Sequence, residues 1–289
     1  MPAATDESTP PDIPTITRLG SVLMLSMFVA MQVTTAPSFI PASPHPLGMA
    51  FWGMWFQRTL RRHFHTGLMK GAEQVRPWTG DGQGRMTQPL ILYATHGSWW
   101  DAALSIVLSV PVLGLRSYGM MEYRQLARYK FFRQVGMFSV IREDARSAMH
   151  SLRYAADLLR DTGRSLWMFP QGTLVHQEHR PIVCEPGIAL LTKSIGDVWL
   201  CPVAYRYEML REQRGEIRVL FGTPHREQWS PDRSVRALVQ DCTHRLTVLA
   251  DEVRHDAMHE QRDGYDVFLR GPLSMEQRFD RILGRTPSR

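Results

Sequence analysis

Cysteine is scarce in this chain of 289 residues: Cys184, Cys201 and Cys242 are odd in number and show no C-x-x-C spacing. Neither a disulfide framework nor a zinc site is therefore indicated, and the usage fits a reducing compartment with thiols acting as small buried hydrophobes. No G-x-S-x-G elbow occurs, so covalent serine chemistry of that kind has no anchor. The spaced glycines of Thr79–Gln88 (TGDGQGRMTQ) precede an apolar run instead of following one, which argues for a loop and against a dinucleotide fingerprint. Internal repeats and interdomain linkers are lacking too. Most telling, Leu19 to Gln57 contains no Asp, Glu, Lys or Arg.

An uncharged run of that length is rarely a solvated segment. Its first part, Leu19–Ala36, lies at the lower limit for a bilayer-crossing helix, which takes roughly 20 apolar residues. Pro37, Pro41, Pro44 and Pro46 then interrupt it, and the second apolar stretch, Leu47–Phe56, carries Phe51, Trp52 and Trp55 but is too short to span. Arg18 precedes the pair and Arg58, Arg61 and Arg62 follow it. Cationic flanks at both ends favour both ends on the cytoplasmic side: a re-entrant or interfacial helix pair on the cytoplasmic face of a membrane, the inner membrane if the source is bacterial. A signal peptide fits poorly, because Asp6, Glu7 and Asp12 precede any basic residue. A hydrophobic core helix is the bland alternative. The net charge of +6 admits nucleic acid or an anionic membrane as partner, and the uncharged stretch turns the reading to the membrane surface.

Beyond this stretch, strand-like runs cover residues 90–95, 137–141, 165–169, 198–204 and 216–221, and helical patterns cover 99–110, 123–134, 146–161 and 187–193. After Ser230-Pro231, read as a cap with proline at the first helical position, Val235, Leu238, Val239, Cys242, Leu246, Leu249 and Val253 keep helical spacing. The order predicts an α/β domain, a mixed sheet flanked by helices, over residues 66–262. A disordered tail is expected at 1–18, the membrane-associated helical segment at 19–65, and a C-terminal tail at 263–289.

Two short segments carry chemistry. THGSWWD (Thr95–Asp101) and MFPQGT (Met168–Thr173) each follow an apolar, strand-like run. Moving an acyl group from a thioester to a hydroxyl needs a base for the alcohol proton, a proton for the departing thiolate and donors for the transient oxyanion. One imidazole can perform the first two tasks. If His96 ends a strand and Asp101 sits in the first turn of the next helix, the carboxylate curls back to the ring and fixes its tautomer. Gly97 suits the tight turn and Ser98 the helix N-cap, and their positions also make them candidates for oxyanion contact. Taken alone, His96 would read as a core histidine bonded to a carbonyl.

Further blocks change that weighting. In order along the chain stand THGSWWD, Gly136–Arg142 (GMFSVIR), FPQGT and CPV (Cys201–Val203). From about Leu90 to about Pro224 the chain thereby resembles the lysophosphatidate and glycerol-phosphate acyltransferase family. The resemblance implies transfer from acyl-CoA or acyl carrier protein to a lipid hydroxyl, lysophosphatidate being the default acceptor, with no cofactor and no metal. It implies contact of Arg142, Gln171, Gly172 and Thr173 with the acceptor's polar head. The chain departs from the family's F-P-E-G-T-R in two places, with Gln171 for the Glu and Leu174 for the Arg, and CEPG (Cys184–Gly187) lacks the basic residue usual there. A phosphate-bearing acceptor would lose at least one cation.

Nearby His176, His179 and Arg180 either substitute for that cation or form a solvated loop. As a metal site His176-x-x-His179 is weak, having no placed carboxylate or cysteine. Arg124, Arg128, Lys130 and Arg133 are either a solvated face or a landing site for coenzyme A phosphates or an acidic carrier protein. Alternatives stay open: a non-phosphate acceptor such as a glycolipid, a carotenoid glycoside or another lysolipid; hydrolysis by the same dyad; and a non-catalytic membrane-binding module, which intact His96 and Asp101 disfavour.

Overall fold

All five side chains of Leu90–Ala94 are buried, yet they divide between two cores: Leu90, Leu92 and Ala94 in one, Ile91 and Tyr93 in the other. Successive side chains of a strand point to opposite faces, so an unbroken apolar run means a sheet covered on both sides. The computed structural model, which describes residues 39–79, 86–273 and 275–284, provides that cover. Its strands are β1 (Phe64–Lys70), β2 (Leu90–Ala94), β3 (Ser117–Glu122), β4 (Met137–Val140), β5 (Ser165–Met168), β6 (Asp197–Glu208), β7 (Gly215–Phe221), β8 (His225–Gln228) and β9 (Asp266–Arg270). They form one sheet in the order β4-β3-β5-β2-β6-β7-β1-β9, with β8 paired to β6. Pairing is parallel from β4 through β6 and antiparallel between β6 and β7. The expected mixed α/β sheet flanked by helices is therefore present.

The helices are α1 (Pro46–His63), α2 (Trp100–Val107), α3 (Tyr123–Arg128), α4 (Ala145–Leu159), α5 (Gly187–Ile195), α6 (Val235–Met258) and α7 (Met275–Ile282). One face of the sheet packs under α1, α2 and α3 through Phe56, Leu60, Leu104, Val107 and Leu126. The other packs under α4, α5 and α6 through Leu152, Leu159, Ile188, Leu191, Leu238 and Leu246. Two of these helices start on side-chain caps: Asp144 accepts from the amides of Arg146 and Ser147, each at 3.2 Å, and Ser234 from that of Ala237 at 3.0 Å. The cap of α6 is thus Ser234 and not Ser230, which sits in the preceding turn.

Tertiary packing revises several expectations. The helix expected over 123–134 stops at Arg128 and resumes as a 3₁₀ turn over Lys130–Val135. There Phe131 stacks on Trp52 at 4.0 Å and Phe132 on Phe56 at 5.7 Å between ring centroids. Those same contacts pack α1 onto the core of the α/β domain. Helix α1 is two-faced, with Phe56 and Leu60 in the core while Leu47, Phe51, Met54 and Trp55 are exposed. No helix among the described residues is long and apolar enough to cross a membrane. The expected tail at 1–18 and the first apolar stretch, Leu19–Ala36, lie outside the described residues.

The C-terminal tail expected at 263–289 contains β9, which pairs antiparallel with β1 and buries Leu269. As an edge strand it exposes Asp266, Val267 and Arg270, and its three apolar residues, Val267 to Leu269, make too short a run to mark a strand.

On the edge formed by β8, His225 is mostly buried, with 17% of its side chain exposed and neither ring nitrogen hydrogen-bonded among the described residues. Burial pushes its imidazole down from 6.5 to about 4, despite Asp241 at 3.8 Å. Above pH 6.5 the ring is neutral whether folded or unfolded and contributes no pH dependence. Between 6.5 and about 4 only the unfolded chain takes the proton, so stability falls as pH falls, by about 3 kcal/mol in full. We predict that His225→Gln removes most of the loss of urea-unfolding free energy between pH 7 and pH 4. An unchanged pH slope would contradict this.

Candidate active site

Strands β2 and β5 are parallel neighbours, so their carboxyl ends open on the same edge of the sheet. The chain leaves β2 for α2 on one face and leaves β5 for α5 on the other. Divergence of that kind opens a crevice beyond the strand ends, the usual ligand position of open α/β sheets. THGSWWD and MFPQGT both end in this crevice. Thr95 prolongs β2 by one residue, its Oγ1 accepting from the Tyr205 amide at 2.8 Å, and His96 is the first residue beyond.

Asp101 occupies the first turn of α2 and its side chain is wholly buried. Oδ2 accepts from His96 Nδ1 at 2.9 Å and from the amides of Gly97 at 2.8 Å and Ser98 at 2.9 Å. Oδ1 accepts from the Tyr207 hydroxyl at 2.7 Å. Because a carboxylate only accepts, Nδ1 carries the imidazole proton and Nε2 keeps a free lone pair. The ring is 22% exposed and stacks on Phe169, which follows β5, at 4.3 Å and 16°. Burial and the Asp101 carboxylate push the Tyr207 phenol well above its ordinary range, so it stays protonated and donates. Burial likewise pushes the thiols up, Cys184 to about 11 and Cys201 and Cys242 further, so none offers a ready thiolate nucleophile.

The third block grips His96 through the main chain. Gln171 Oε1 accepts the His96 amide at 2.8 Å, and the Val175 amide donates to the His96 carbonyl at 2.8 Å. A β-carbon on Gly97 would meet the Val175 carbonyl oxygen at 3.3 Å, tighter than most such contacts, so this crossing favours glycine. Gly172 turns the FPQGT loop with φ of 71°, a left-handed conformation. Arg142 Nη1 lies 3.5 Å from the point a β-carbon on Gly172 would occupy, which brings the second block beside the third. Arg142 itself is exposed, and so are Thr173 and Leu174.

Gln171, His176, Gln177, His179, Arg180 and Arg206 line a narrow cleft beside His96. Arg180 is largely engaged: Nε pairs with Asp251 at 2.6 Å, and Nη1 donates to the carbonyls of Gln177 at 2.8 Å and His179 at 2.9 Å. Its Nη2 is buried without a partner among the described residues. Arg206, buried in β6, donates to Glu178 at 2.6 Å and also pairs with Glu208. Among the described residues no three His, Cys, Asp or Glu side chains converge as metal ligands. In the basic cluster, Arg133 donates to the Pro41 carbonyl at 2.9 Å, while Arg124 and Lys130 are exposed.

Of the residues singled out from the sequence, His96, Asp101 and Gln171 meet directly, with Gly172 and Arg142 at the adjoining turn and Arg180 across the cleft. Gly97 and Ser98 require a correction. Both amides point at Asp101 Oδ2, so neither is free for an oxyanion; the pair serves to hold the carboxylate. Ser98 Oγ does accept from the Trp100 amide at 3.2 Å at the start of α2. Sequence reasoning missed Phe169 and Tyr207. The former lies inside a noted block, where an aromatic next to a turn reads as core, and the latter follows the last block with no motif to mark it.

A partly buried strand-end histidine paired with a buried helix-first-turn aspartate, on an α/β sheet, has the geometry that a general base needs. The Acyltransferase family model matches residues 60–206, about half of the chain, and the chain belongs to that family. It is similar to a 1-acyl-sn-glycerol-3-phosphate acyltransferase of Streptococcus pneumoniae (strain ATCC BAA-255 / R6), with 28% identity over 141 residues, 46% of this chain and 49% of that protein. The chain thus spans about half the length of the curated relative it matches.

Proposed function

We propose that this protein is a membrane-surface O-acyltransferase that moves a fatty acyl group from an acyl thioester, coenzyme A or acyl carrier protein, to a lipid hydroxyl. The observation that carries the reading is the His96–Asp101 pair, with Nδ1 bound at 2.9 Å and Nε2 left free. In the proposed reaction Nε2 accepts the acceptor's hydroxyl proton as its oxygen attacks the thioester carbonyl. The tetrahedral intermediate then collapses, expelling the thiolate, and the imidazolium returns the proton to sulfur. Asp101 stabilises the imidazolium between these steps.

Support for a bilayer as partner comes from α1. Leu47, Phe51, Met54 and Trp55 are exposed on one helix, Trp99 is 60% exposed beside the catalytic turn, and Arg58, Arg61 and Arg62 follow. Aromatic and aliphatic side chains next to arginines are the composition of an interfacial helix, here on the cytoplasmic face of a membrane.

For the acceptor, the 1-acylglycerol-3-phosphate default competes with a lipid lacking a terminal phosphate, and two observations favour the second. Leu174 is exposed and uncharged where the family pattern has arginine, and Arg180 is largely bound by Asp251 and two carbonyls. Arg142 is the cation beside the FPQGT turn without a hydrogen bond or ion pair among the described residues. One guanidinium fits a neutral hydroxyl-lipid or lysolipid better than a phosphomonoester, which is usually held by several charge-assisted bonds.

Three outcomes are expected. His96→Ala should lower acyl transfer roughly 10²–10⁴-fold with folding and vesicle binding unchanged, read as free thiol released from an acyl thioester in the presence of acceptor. Activity near that of the unaltered chain would defeat the mechanism, and thiol release without acylated lipid would assign hydrolysis. Replacing Phe51 and Trp55 by Glu, both exposed, should weaken sedimentation with anionic vesicles while leaving the melting temperature unchanged; unaltered binding would remove α1 as the contact. In competition for one labelled thioester, a neutral hydroxyl-lipid should be acylated ahead of lysophosphatidate. Leu174→Arg should then shift the ratio about tenfold or more toward lysophosphatidate. A strong initial preference for lysophosphatidate would restore the default acceptor.

A further inference from the structure

We propose that Tyr207 is a positioning residue for the His96–Asp101 pair, holding the second carboxylate oxygen so that the imidazole keeps its orientation and its Nδ1 proton. The inference rests on the acyl-transfer reading above and assigns a role to a residue that lies just past the family match at 60–206. Asp101 Oδ2 is saturated by His96, Gly97 and Ser98, whereas Oδ1 has the Tyr207 hydroxyl, at 2.7 Å, as its partner. A buried carboxylate oxygen without a donor is costly, so the phenol decides how the whole group sits.

The position of that phenol is determined from outside the dyad. Gln177, in the loop after FPQGT, bonds the Tyr207 main chain in both directions: its Nε2 donates to the carbonyl at 3.2 Å and its Oε1 accepts the amide at 3.3 Å. The Tyr207 ring packs on Phe64 at 5.7 Å. Tyr205, its neighbour on the same side of β6, does not compete, because its hydroxyl meets Ser105 Oγ at 3.2 Å. The loop that holds the His96 main chain through Gln171 and Val175 thus also holds the residue that holds Asp101.

Few other groups titrate nearby. Tyr205 faces the pair from β6, Arg206 points to the other side of that strand and is engaged by Glu178 and Glu208, and His176, His179 and Arg180 line the cleft beside His96. Helix α6 contributes Ala250 and Val253 there. Without the Tyr207 hydroxyl, negative charge on Oδ1 is no longer dispersed, and the carboxylate favours the protonated imidazole more strongly. His96 should then titrate at higher pH and be less available as a base near neutrality.

The test is Tyr207→Phe, which retains the ring and its contact with Phe64. We expect kcat to fall ~10-fold or more, with KM for thioester and acceptor within about twofold of the unaltered values. The acidic limb of the pH–rate profile should move up. The His96 imidazole, followed by NMR in the protein without substrate, should titrate at higher pH, and thermal unfolding checks that the variant is folded. Added to Asp101→Asn, Tyr207→Phe should cause little further loss, since its partner is already altered. An equal loss in both backgrounds, or an unmoved His96 titration, would overturn the assignment. Failure of the unaltered chain to transfer acyl groups would strike the proposed reaction alone, because the titration is read without substrate.

Discussion

The Asp101 carboxylate, buried without solvent and bonded by four donors, is the constraint on which the candidate site depends. Two donors come from the turn at Gly97 and Ser98, one from the histidine it orients and one from Tyr207 on a different strand. A buried charge is tolerable only when its hydrogen bonds are complete, so the first turn of α2, the end of β2 and the end of β6 cannot move independently. Ser105 extends the linkage, donating to the Asp101 main-chain carbonyl at 2.8 Å and meeting the Tyr205 hydroxyl. His96 and Asp101 are thus held jointly by the turn at Gly97 and Ser98, by the loop after β5 and by the end of β6.

The sheet makes this arrangement possible. With β2 between β5 and β6, the segments leaving β2 and β5 emerge side by side, and Phe169 arrives where it can stack on the imidazole. Gln171 then shows a physical use for an amide at its position. Its oxygen accepts the His96 amide while its nitrogen brings no charge to the cleft. The same residue therefore ties the loop after β5 to the main chain of His96 without adding a charge.

Much of this was legible in the sequence for identifiable reasons. Unbroken apolar runs such as LILYA mark strands covered on both faces, and the H-x-x-x-x-D spacing makes sense only across a strand-to-helix turn. What could not be read depends on tertiary partners. Strand β9 is a short edge with most of its residues exposed, and β1 begins directly where α1 ends, with no turn between them to mark the change. Helix α1 reads as apolar over Leu47–Phe56, and only its packing separates the core residues Phe56 and Leu60 from the exposed Leu47, Phe51, Met54 and Trp55. Gly97 and Ser98 look equally suited to an oxyanion or a carboxylate, and only the direction of their amides decides. Tyr207 has no local signal, because its meaning lies in a contact with a residue 106 positions away.

The ring nitrogens of His96 offer the most direct measurement. If the buried carboxylate fixes the proton on Nδ1, nitrogen-15 NMR of the protein near neutral pH should show His96 as the tautomer protonated at Nδ1, with Nε2 unprotonated and able to accept the acceptor's proton. Asp101→Asn should weaken or reverse that preference. Finding the proton on Nε2 in the unaltered protein would contradict the account, since the nitrogen assigned as base would have no lone pair to offer.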